Sequence, residues 1–192
     1  MTLNKSFFKK KNFLQVDKFI ENVLFDKKFG YYSTKLPFGK SGDFLTAPGI
    51  SSLFSEIIGI WLVSTWITFG KPTRFNIVEL GPGDGSLAKV LIKTFEKFPQ
   101  FNKALKIFLY EKSIYLKKLQ KKNIKSKKVK WIHNFKDIRK GPIIFFGNEF
   151  FDAIPIKQFF KKKDGWVERF VNLSDPKKAE FKEEKIDIEK IE

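Results

Sequence analysis

The feature that most constrains this chain is the stretch FNIVELGPGDGSLAKVL at residues 75–91, where an apolar run, a glycine-rich turn and an amphipathic segment follow one another. The apolar run has the length of a buried strand. Gly81, Gly83 and Gly85 permit positive φ and a close approach to the main chain that a Cβ would prevent. From Ser86, a suitable N-cap, apolar residues recur at helical spacing. The stretch therefore predicts a strand–turn–helix unit whose helix N-terminus points its free N–H groups toward the glycine turn.

Two kinds of ligand site use such a turn, and the neighbouring acids distinguish them. A dinucleotide site has the pattern G-x-G-x-x-G and an acid about 20 residues later. Here the glycines read G-P-G-D-G, Glu79 lies two positions before Gly81, and Glu111 lies thirty positions after it. This E-x-G-x-G-x-G pattern resembles motif I of the class I S-adenosylmethionine-dependent methyltransferases. The alternative is a tight strand–helix turn with both acids as solvated strand ends.

The resemblance assigns a part of the cofactor to each of these residues. It implies that the turn through Gly81, Gly83 and Gly85 lies under the methionyl part of S-adenosyl-L-methionine. It also implies that Glu79 helps to hold the cofactor's amino group and that Glu111 binds its ribose hydroxyls.

The composition limits the other functions that are open to the chain. A length of 192 residues with 42% hydrophobic and 17% aromatic content predicts a globular protein with a buried core. The net charge of +17 favours nucleic-acid binding, but only Arg74, Arg139 and Arg169 of the 38 basic residues carry the planar guanidinium on which specific recognition relies. No specific nucleic acid is therefore expected. Since the chain has no Cys and one His, we expect no disulfide, no cysteine nucleophile and no metal site.

No membrane span is expected either. The longest apolar run, at 57–70, is too short to cross a bilayer and contains polar residues. The basic N-terminus lacks the apolar stretch and cleavage site of a secretory signal. We expect a cytoplasmic protein, with a mitochondrial one as the alternative because residues 1–16 contain no acid.

Strand-like and helix-like segments alternate after the glycine turn. Strand-like runs are predicted at 75–80, 105–111, 129–132 and 143–146. This alternation predicts an α/β fold with a Rossmann-like parallel sheet, an N-terminal helical extension and ligands at the carboxyl ends of the strands. Because a class I methyltransferase sheet resembles a seven-stranded array, we expect a sheet truncated after the fourth core strand, with an open edge.

We divide the chain into three parts. Residues 1–70 are predicted to form helices and a GDFLTAP loop that pack on the core. Residues 71–173 are predicted to form a partial cofactor-binding core, with a hairpin turn at Asp164–Gly165. Residues 174–192 are predicted to form a charged tail that is weakly docked or frayed.

Several separated motifs together are typical of one family. They are GYYS at 30–33, GDFLTAPGIS at 42–51, VELGPGDGSL at 78–87, NEFFDAIP at 148–155 and W.ER.V at 166–171. Their order closely resembles the MidA-like family, whose eukaryotic members are mitochondrial complex I assembly factors that methylate a protein arginine. The chain departs from the family at Gly49, where an acid is usual, and in stopping well before such proteins usually end.

This resemblance also implies roles on the substrate side. Asp43, Phe44 and Thr46 are expected to form a lid or substrate-side loop over the cofactor. The resemblance further implies a protein substrate, with a respiratory complex I subunit as one candidate.

The stretch NEFFD follows the fourth strand, where class I methyltransferases commonly place residues that face the transferred methyl. Asn148, Glu149 and Asp152 are therefore the candidate catalytic residues. The pKa of an arginine side chain lies far above neutral pH, so an arginine substrate arrives charged and carboxylates must orient it. The alternative is that NEFFD only caps the following turn.

The leading interpretation is a methyltransferase that uses S-adenosylmethionine and acts on a protein arginine, in connection with complex I assembly. One alternative is a non-catalytic assembly or binding protein that keeps the fold, or an inactive fragment. A further alternative is a nucleic-acid methyltransferase, which only the Lys excess supports. The open edge leaves three further alternatives: a homo-oligomer, a missing C-terminal half that belongs to a longer chain, or a separate polypeptide in its place.

Overall fold

The computed structural model describes residues 12–34, 37, 42–44, 46–175, 178–187 and 189. The elements in chain order are β1 (Phe13–Gln15), α1 (Val16–Phe25), α2 (Tyr31–Thr34), α3 (Ala47–Ile50), α4 (Ser52–Thr68), β2 (Phe75–Leu80), α5 (Ser86–Glu96), α6 (Pro99–Ala104), β3 (Leu105–Tyr110), α7 (Ile114–Asn123), β4 (Val129–Ile132), β5 (Ile143–Phe146), β6 (Phe159–Lys162), β7 (Gly165–Asp175) and β8 (Lys178–Ile186). They fall into two compact units. We call Tyr32–Phe151 the parallel unit, and Met1–Tyr31 with Asp152–Glu192 the antiparallel unit.

The parallel unit contains a four-stranded parallel sheet in the order β4-β3-β2-β5. The central strand β2 carries the glycine turn at its carboxyl end. The chain proceeds outward from β2 through β3 to β4 and then returns to the other side of β2 with β5. Ligands of such sheets bind at the carboxyl ends of the strands, at the point where the order reverses. The α/β fold class and the four predicted core strands are confirmed.

The main core lies between one face of this sheet and helices α4 and α5. The sheet contributes Phe75, Ile77 and Ile107 to that core, and all three side chains are buried. Gly59 allows α4 to lie close to α5, because a Cβ at that position would be 2.9 Å from the Thr94 Cγ2 atom. This packing holds the N-terminal end of α5 in place against the sheet.

The start of α5 differs from the sequence prediction. Gly85, not Ser86, occupies the N-cap position, and Ser86 is the first helical residue. The Asp84 Oδ1 atom accepts a hydrogen bond of 2.9 Å from the Ser86 amide. The cap falls on Gly85 because its φ is 84°, a left-handed conformation that glycine adopts without a steric penalty.

The antiparallel unit is a sheet built around β7. Strand β8 runs along one edge of β7, and β6 and β1 pair with successive segments of β7. The predicted hairpin at Asp164–Gly165 is confirmed, since β6 and β7 pair on either side of it. Helix α1 begins at Val16, and the three residues before it form the strand β1, although only helices and a loop are predicted for residues 1–70.

The prediction of a frayed tail after residue 173 is wrong, because Lys178–Ile186 form β8 along β7. Most side chains of β8 are charged and exposed, so hydrophobic periodicity gives no strand signal there. The strand is instead held by main-chain pairing with β7 and by cross-strand charge pairing, since Glu183 lies opposite Arg169 in the register. The Arg169 guanidinium also lies 4.9 Å from the ring centroid of Phe181.

The boundaries of the two units differ from the domain boundaries predicted from the sequence. The boundaries lie at 31/32 and 151/152, whereas the predicted ones lie at 70/71 and 173/174. The physical reason is that α4 belongs to the core of the parallel sheet and that β1 pairs with β7. Within the described ranges, no helix is long and apolar enough to cross a membrane.

Candidate functional site

The glycine turn after β2 has a backbone that only glycine adopts easily. Gly81, Gly83 and Gly85 have φ values of 62°, 57° and 84°. A Cβ on Gly81 would lie 2.7 Å from Cδ2 of Phe150, and one on Gly85 would lie 2.8 Å from Cδ1 of Ile124. The turn therefore needs glycine both for its conformation and for the side chains that pack on it.

Glu111 directly follows β3 and lies beside this turn. Its carboxylate is buried and accepts hydrogen bonds that include one from the Ser113 amide to Oε1 at 2.8 Å and one from the Gln120 Nε2 to Oε2 at 3.1 Å. Burial raises the pKa of Glu111, and these hydrogen bonds oppose that rise. A carboxylate has about four lone-pair sites, so Glu111 keeps acceptor capacity for hydroxyl donors of a ligand.

Glu79 lies inside β2, one residue before its end, and its side chain is buried. Its Oε2 atom has no hydrogen-bond partner among the described residues. Burial, with smaller contributions from the neighbouring carboxylates of Asp84 and Glu111, raises the pKa of Glu79 to about 8. A buried carboxylate oxygen without a partner is rare in proteins and marks a place where a cationic or donor group fits. The alternative in which Glu79 and Glu111 are solvated strand ends is therefore wrong.

The residues after β5 lie beside the same turn, because the Phe150 ring covers Gly81. Glu149 is exposed and has a φ of 51°, which is uncommon for a residue with a side chain and recurs at functional sites. The Asn148 Nδ2 donates to Glu149 Oε1 at 3.3 Å. Asp152 is exposed and is the first residue of the antiparallel unit, so the parallel unit alone brings only Asn148 and Glu149 to this edge.

The loop before α3 supplies the predicted substrate-side residues. Asp43 and Phe44 are exposed, and the Phe44 amide donates to the Pro37 carbonyl at 2.8 Å. The Thr46 carbonyl accepts from the Gly49 and Ile50 amides at the start of α3, which contacts α5. Thr46 is therefore anchored near the helix that begins at the glycine turn.

Sequence reasoning missed two groups that hold the site together. The buried Gln120 side chain donates to Glu111 and to the Gly83 carbonyl. The Ser113 hydroxyl donates to the Tyr32 carbonyl at 2.7 Å, which ties the GYYS motif to the start of α7. A signal for Gln120 was present: it lies four residues after Leu116 and four before Ile124, on the apolar face of an otherwise Lys-rich helix.

A comparison with family models places this chain. The model described as "Putative S-adenosyl-L-methionine-dependent methyltransferase" matches residues 57–191, which is more than half of the chain. The chain therefore belongs to this family of class I methyltransferases, and the resemblance to MidA-like proteins is confirmed.

Curated relatives and a solved structure agree with this placement. The mitochondrial protein arginine methyltransferase NDUFAF7 of Xenopus laevis is 32% identical over 91% of this chain and 46% of its own length. The protein of the same name from Homo sapiens is 32% identical over 85% of this chain and 42% of its own length. A COG1565 superfamily member from Burkholderia thailandensis, crystallised with S-adenosyl-homocysteine, shares the fold with a TM-score of 0.73 and 24% identity, over 91% of this chain and 46% of that one. The chain thus spans somewhat less than half the length of these proteins.

The buried Glu79 predicts an unusual dependence of stability on pH. The folded protein keeps the Glu79 proton up to about pH 8, whereas the unfolded chain loses it near the ordinary pKa of 4.5. The free energy of unfolding therefore falls as pH rises between these values, by up to about 1.4 kcal/mol per pH unit. Glu79→Gln removes this contribution, so urea unfolding at pH 5.5 and 7.5 should show a smaller loss of stability in the variant.

The control is Glu96→Gln, which changes an exposed glutamate of α5 in the same way. We expect its pH dependence to match that of the unmodified chain. A Glu79→Gln variant with the same pH slope as the unmodified chain would show that Glu79 is ionised in the folded state.

Proposed function

We propose that this chain binds S-adenosyl-L-methionine at the β2–α5 turn and contributes to methyl transfer onto a protein arginine. The observation that carries the proposal is the buried, unpartnered Oε2 atom of Glu79 beside a turn of three positive-φ glycines. The next strand end adds Glu111, whose carboxylate has acceptor capacity left. No other part of the described chain combines a turn of three positive-φ glycines with two buried acids.

The residues present fit this cofactor. The glycine turn offers main-chain groups without Cβ atoms, which suits the methionyl part. The unpartnered Glu79 oxygen suits its ammonium group, and Glu111 suits the two ribose hydroxyls. When bound, the cofactor supplies an electrophilic methyl group on a sulfonium. The chain's own contribution is to orient both reactants and to place negative charge near the positive ones.

The acceptor is proposed from the relatives, whose names describe them as protein arginine methyltransferases. An arginine guanidinium requires carboxylates at the reacting end. Glu149 is proposed to orient it, with Asn148 bonded to the Glu149 carboxylate as support and Asp152 as the second acid. The strained φ of Glu149 supports this role, since such conformations occur where a side chain must be directed to a ligand.

The loop with Asp43, Phe44 and Thr46 is proposed as a cover on the acceptor side. Phe44 is an aromatic residue that is 51% exposed, and its neighbour Asp43 is exposed as well. Gly49 in the adjoining helix is exposed, and a Cβ there would meet only the Thr46 Oγ1 at 3.7 Å. A Cβ therefore has room at Gly49, so the glycine there is not required by a close contact at that atom.

The wider setting follows the relatives as well. A protein substrate is proposed, with a complex I subunit as one candidate, because complex I assembly is the role implied by the MidA-like resemblance. The names of the relatives include "mitochondrial", which supports the mitochondrial alternative, while the cytoplasmic location stays a prediction.

A non-catalytic binding protein is the second candidate, and Gly49 is the observation that favours it. Such a protein would bind the cofactor with the affinity of an enzyme and transfer no methyl group. Restoring the acid by Gly49→Glu separates the two candidates: a gain in methyl transfer supports an impaired enzyme, and unchanged transfer supports the binding protein. For the nucleic-acid alternative, affinity that falls steeply with salt and does not depend on Asn148–Asp152 would mark nonspecific charge attraction.

The cofactor assignment predicts that S-adenosylhomocysteine binds this chain and that NAD does not. Gly83→Val should abolish binding, because a β-branched residue rarely adopts a φ near 57°. Glu111→Ala should weaken binding by roughly 10-fold or more, because charge-assisted hydrogen bonds to the ribose are lost. Calorimetric titration measures both effects. Unchanged affinity in Glu111→Ala would contradict the ribose assignment.

The acceptor assignment predicts that Glu149→Gln lowers methyl transfer roughly 10- to 100-fold and leaves S-adenosylhomocysteine affinity unchanged, since the acid acts on the acceptor. Asp152→Asn should do the same. Transfer of a labelled methyl group is measured with enzyme in excess, so that slow turnover is counted. Asp164→Asn in the exposed β6–β7 turn is the matched control. An equal fall in cofactor affinity would make the NEFFD stretch structural.

The open edge of the parallel sheet predicts low activity for these 192 residues alone. Within the described residues β5 pairs only with β2, and Ile143 and Phe145 are 38% and 46% exposed. We propose that further strands, equivalent to the part of the relatives that this chain does not match, cover this edge and close the acceptor pocket. The measurement is turnover on an arginine-containing protein, with light scattering to establish the mass. Robust turnover by a monomer would contradict the proposal.

A further inference from the structure

A fully buried glutamine connects three parts of the parallel unit. The Gln120 Nε2 donates to the Gly83 carbonyl at 2.8 Å and to the Glu111 Oε2 at 3.1 Å. The Gln120 Oε1 accepts from the Trp131 indole N–H at 2.9 Å. One side chain on α7 thus bonds to the glycine turn, to the acid after β3 and to the neighbouring strand β4.

The orientation of this amide follows from its partners. An indole N–H is only a donor, so it must face the amide oxygen. A main-chain carbonyl and a carboxylate are acceptors, so both must face the amide nitrogen. A flipped Gln120 amide would place its N–H groups against the Trp131 N–H, and its oxygen against the Gly83 carbonyl and the Glu111 carboxylate. Glutamine meets these needs because it offers two N–H donors and an acceptor oxygen on one planar group.

Other residues at this end of α7 contact the same turn. The Asn123 Nδ2 donates to the Asp84 carbonyl at 3.1 Å, and the Ile124 side chain packs where a Cβ on Gly85 would lie. At the start of α7, the Ser113 amide holds the other carboxylate oxygen of Glu111. The helix therefore fixes both the turn and the acid, and Gln120 is the residue that touches both.

We infer that Gln120 is a positioning residue for the cofactor site, which sets the distance and orientation between the Gly83 main chain and the Glu111 carboxylate. This inference rests on the proposed cofactor binding at these two groups. Gln120 itself acts through Glu111 and Gly83. Its two hydrogen bonds hold the methionyl-side turn and the ribose-side acid in one fixed geometry before a ligand arrives.

Gln120 also has an electrostatic effect on Glu111. The Gln120 N–H stabilises the ionised carboxylate, so its removal raises the pKa of Glu111. Other titratable groups lie near this carboxylate. They are Lys117 of α7, Glu79 of β2 and Asp84 of the glycine turn, with His133 after β4 bonded to Lys117. None of these groups is changed by a substitution at Gln120, so a shift at Glu111 reports the lost hydrogen bond.

Gln120→Met tests the inference, because methionine keeps the length and flexibility of glutamine and removes its donors and acceptor. Gln100→Met, at an exposed position in α6, is the matched control. The first readout is the Glu111 pKa in the ligand-free protein, followed by carbon-13 NMR of labelled glutamate carboxyls and assigned with Glu111→Gln. We expect a rise of about one unit in Gln120→Met, as for the loss of one charge-assisted hydrogen bond, and no change in Gln100→Met.

The second readout is S-adenosylhomocysteine affinity against pH. We expect Gln120→Met to lose roughly 10-fold in affinity, relative to the unmodified chain at the same pH, below the Glu111 pKa found in the first readout, and to lose less above that pKa, where Glu111 is ionised. A purely structural role would lower affinity equally at both pH values. If Gln120→Met does not fold, Gln120→Glu serves instead: it keeps the acceptor for Trp131 and places a second carboxyl beside Glu111, which should raise the Glu111 pKa further.

The two readouts separate this inference from the proposed function. An unchanged Glu111 pKa in Gln120→Met and Gln120→Glu would overturn the positioning role, whatever the affinity. A raised pKa in a chain that binds no S-adenosylhomocysteine would support the Gln120–Glu111 link and overturn the cofactor assignment. A raised pKa with a pH-independent loss of affinity would overturn the role of that link in ligand binding.

Discussion

Parallel pairing of β2 with a strand on each side is the interaction on which the functional end of the molecule depends. Because β3 and β5 both bond to β2, the carboxyl ends of three neighbouring strands meet at one edge. The Gly81 amide continues the ladder by donating to the Tyr110 carbonyl at 3.0 Å. The glycine turn, Glu111 and the residues after β5 are each the next residues of those strands. Their proximity is therefore a property of the sheet and needs no long loop to create it.

Much of this arrangement is visible in the sequence because it is local. The strands are short apolar runs. The turn contains three closely spaced glycines, which indicate a backbone with positive φ values, and all three have them. The acids Glu79 and Glu111 stand at fixed distances from the turn, so their approach to it follows from parallel pairing. The packing partners are less visible. Phe150 on Gly81 and Gln120 on Gly83 come from distant segments, and only the tertiary fold brings them together.

Each feature that the sequence does not reveal has its own physical cause. Strand β8 has almost no apolar face, so its place in the sheet depends on main-chain pairing with β7, which composition does not reveal. Strand β1 is three residues long and merges with the amphipathic pattern of α1. The burial of Glu79 is not visible for a different reason. An acid near a strand end is usually solvated, but here it is enclosed together with a second acid. Such an enclosure costs stability and is retained where a ligand requires it.

The pairing of β1 with β7 has a consequence for how the chain matures during synthesis. The Gln15 Nε2 donates to Glu168 Oε1 at 3.0 Å across 153 positions of sequence, and the whole parallel unit lies between these residues. At a ribosomal rate of about 5–20 residues per second, the β1 segment waits roughly ten to thirty seconds for its partner to appear. The glycine turn and its sheet are complete in the nascent chain well before that. Strand β1 therefore exists without its sheet partner while the whole parallel unit is synthesised, and it can pair only when β7 follows.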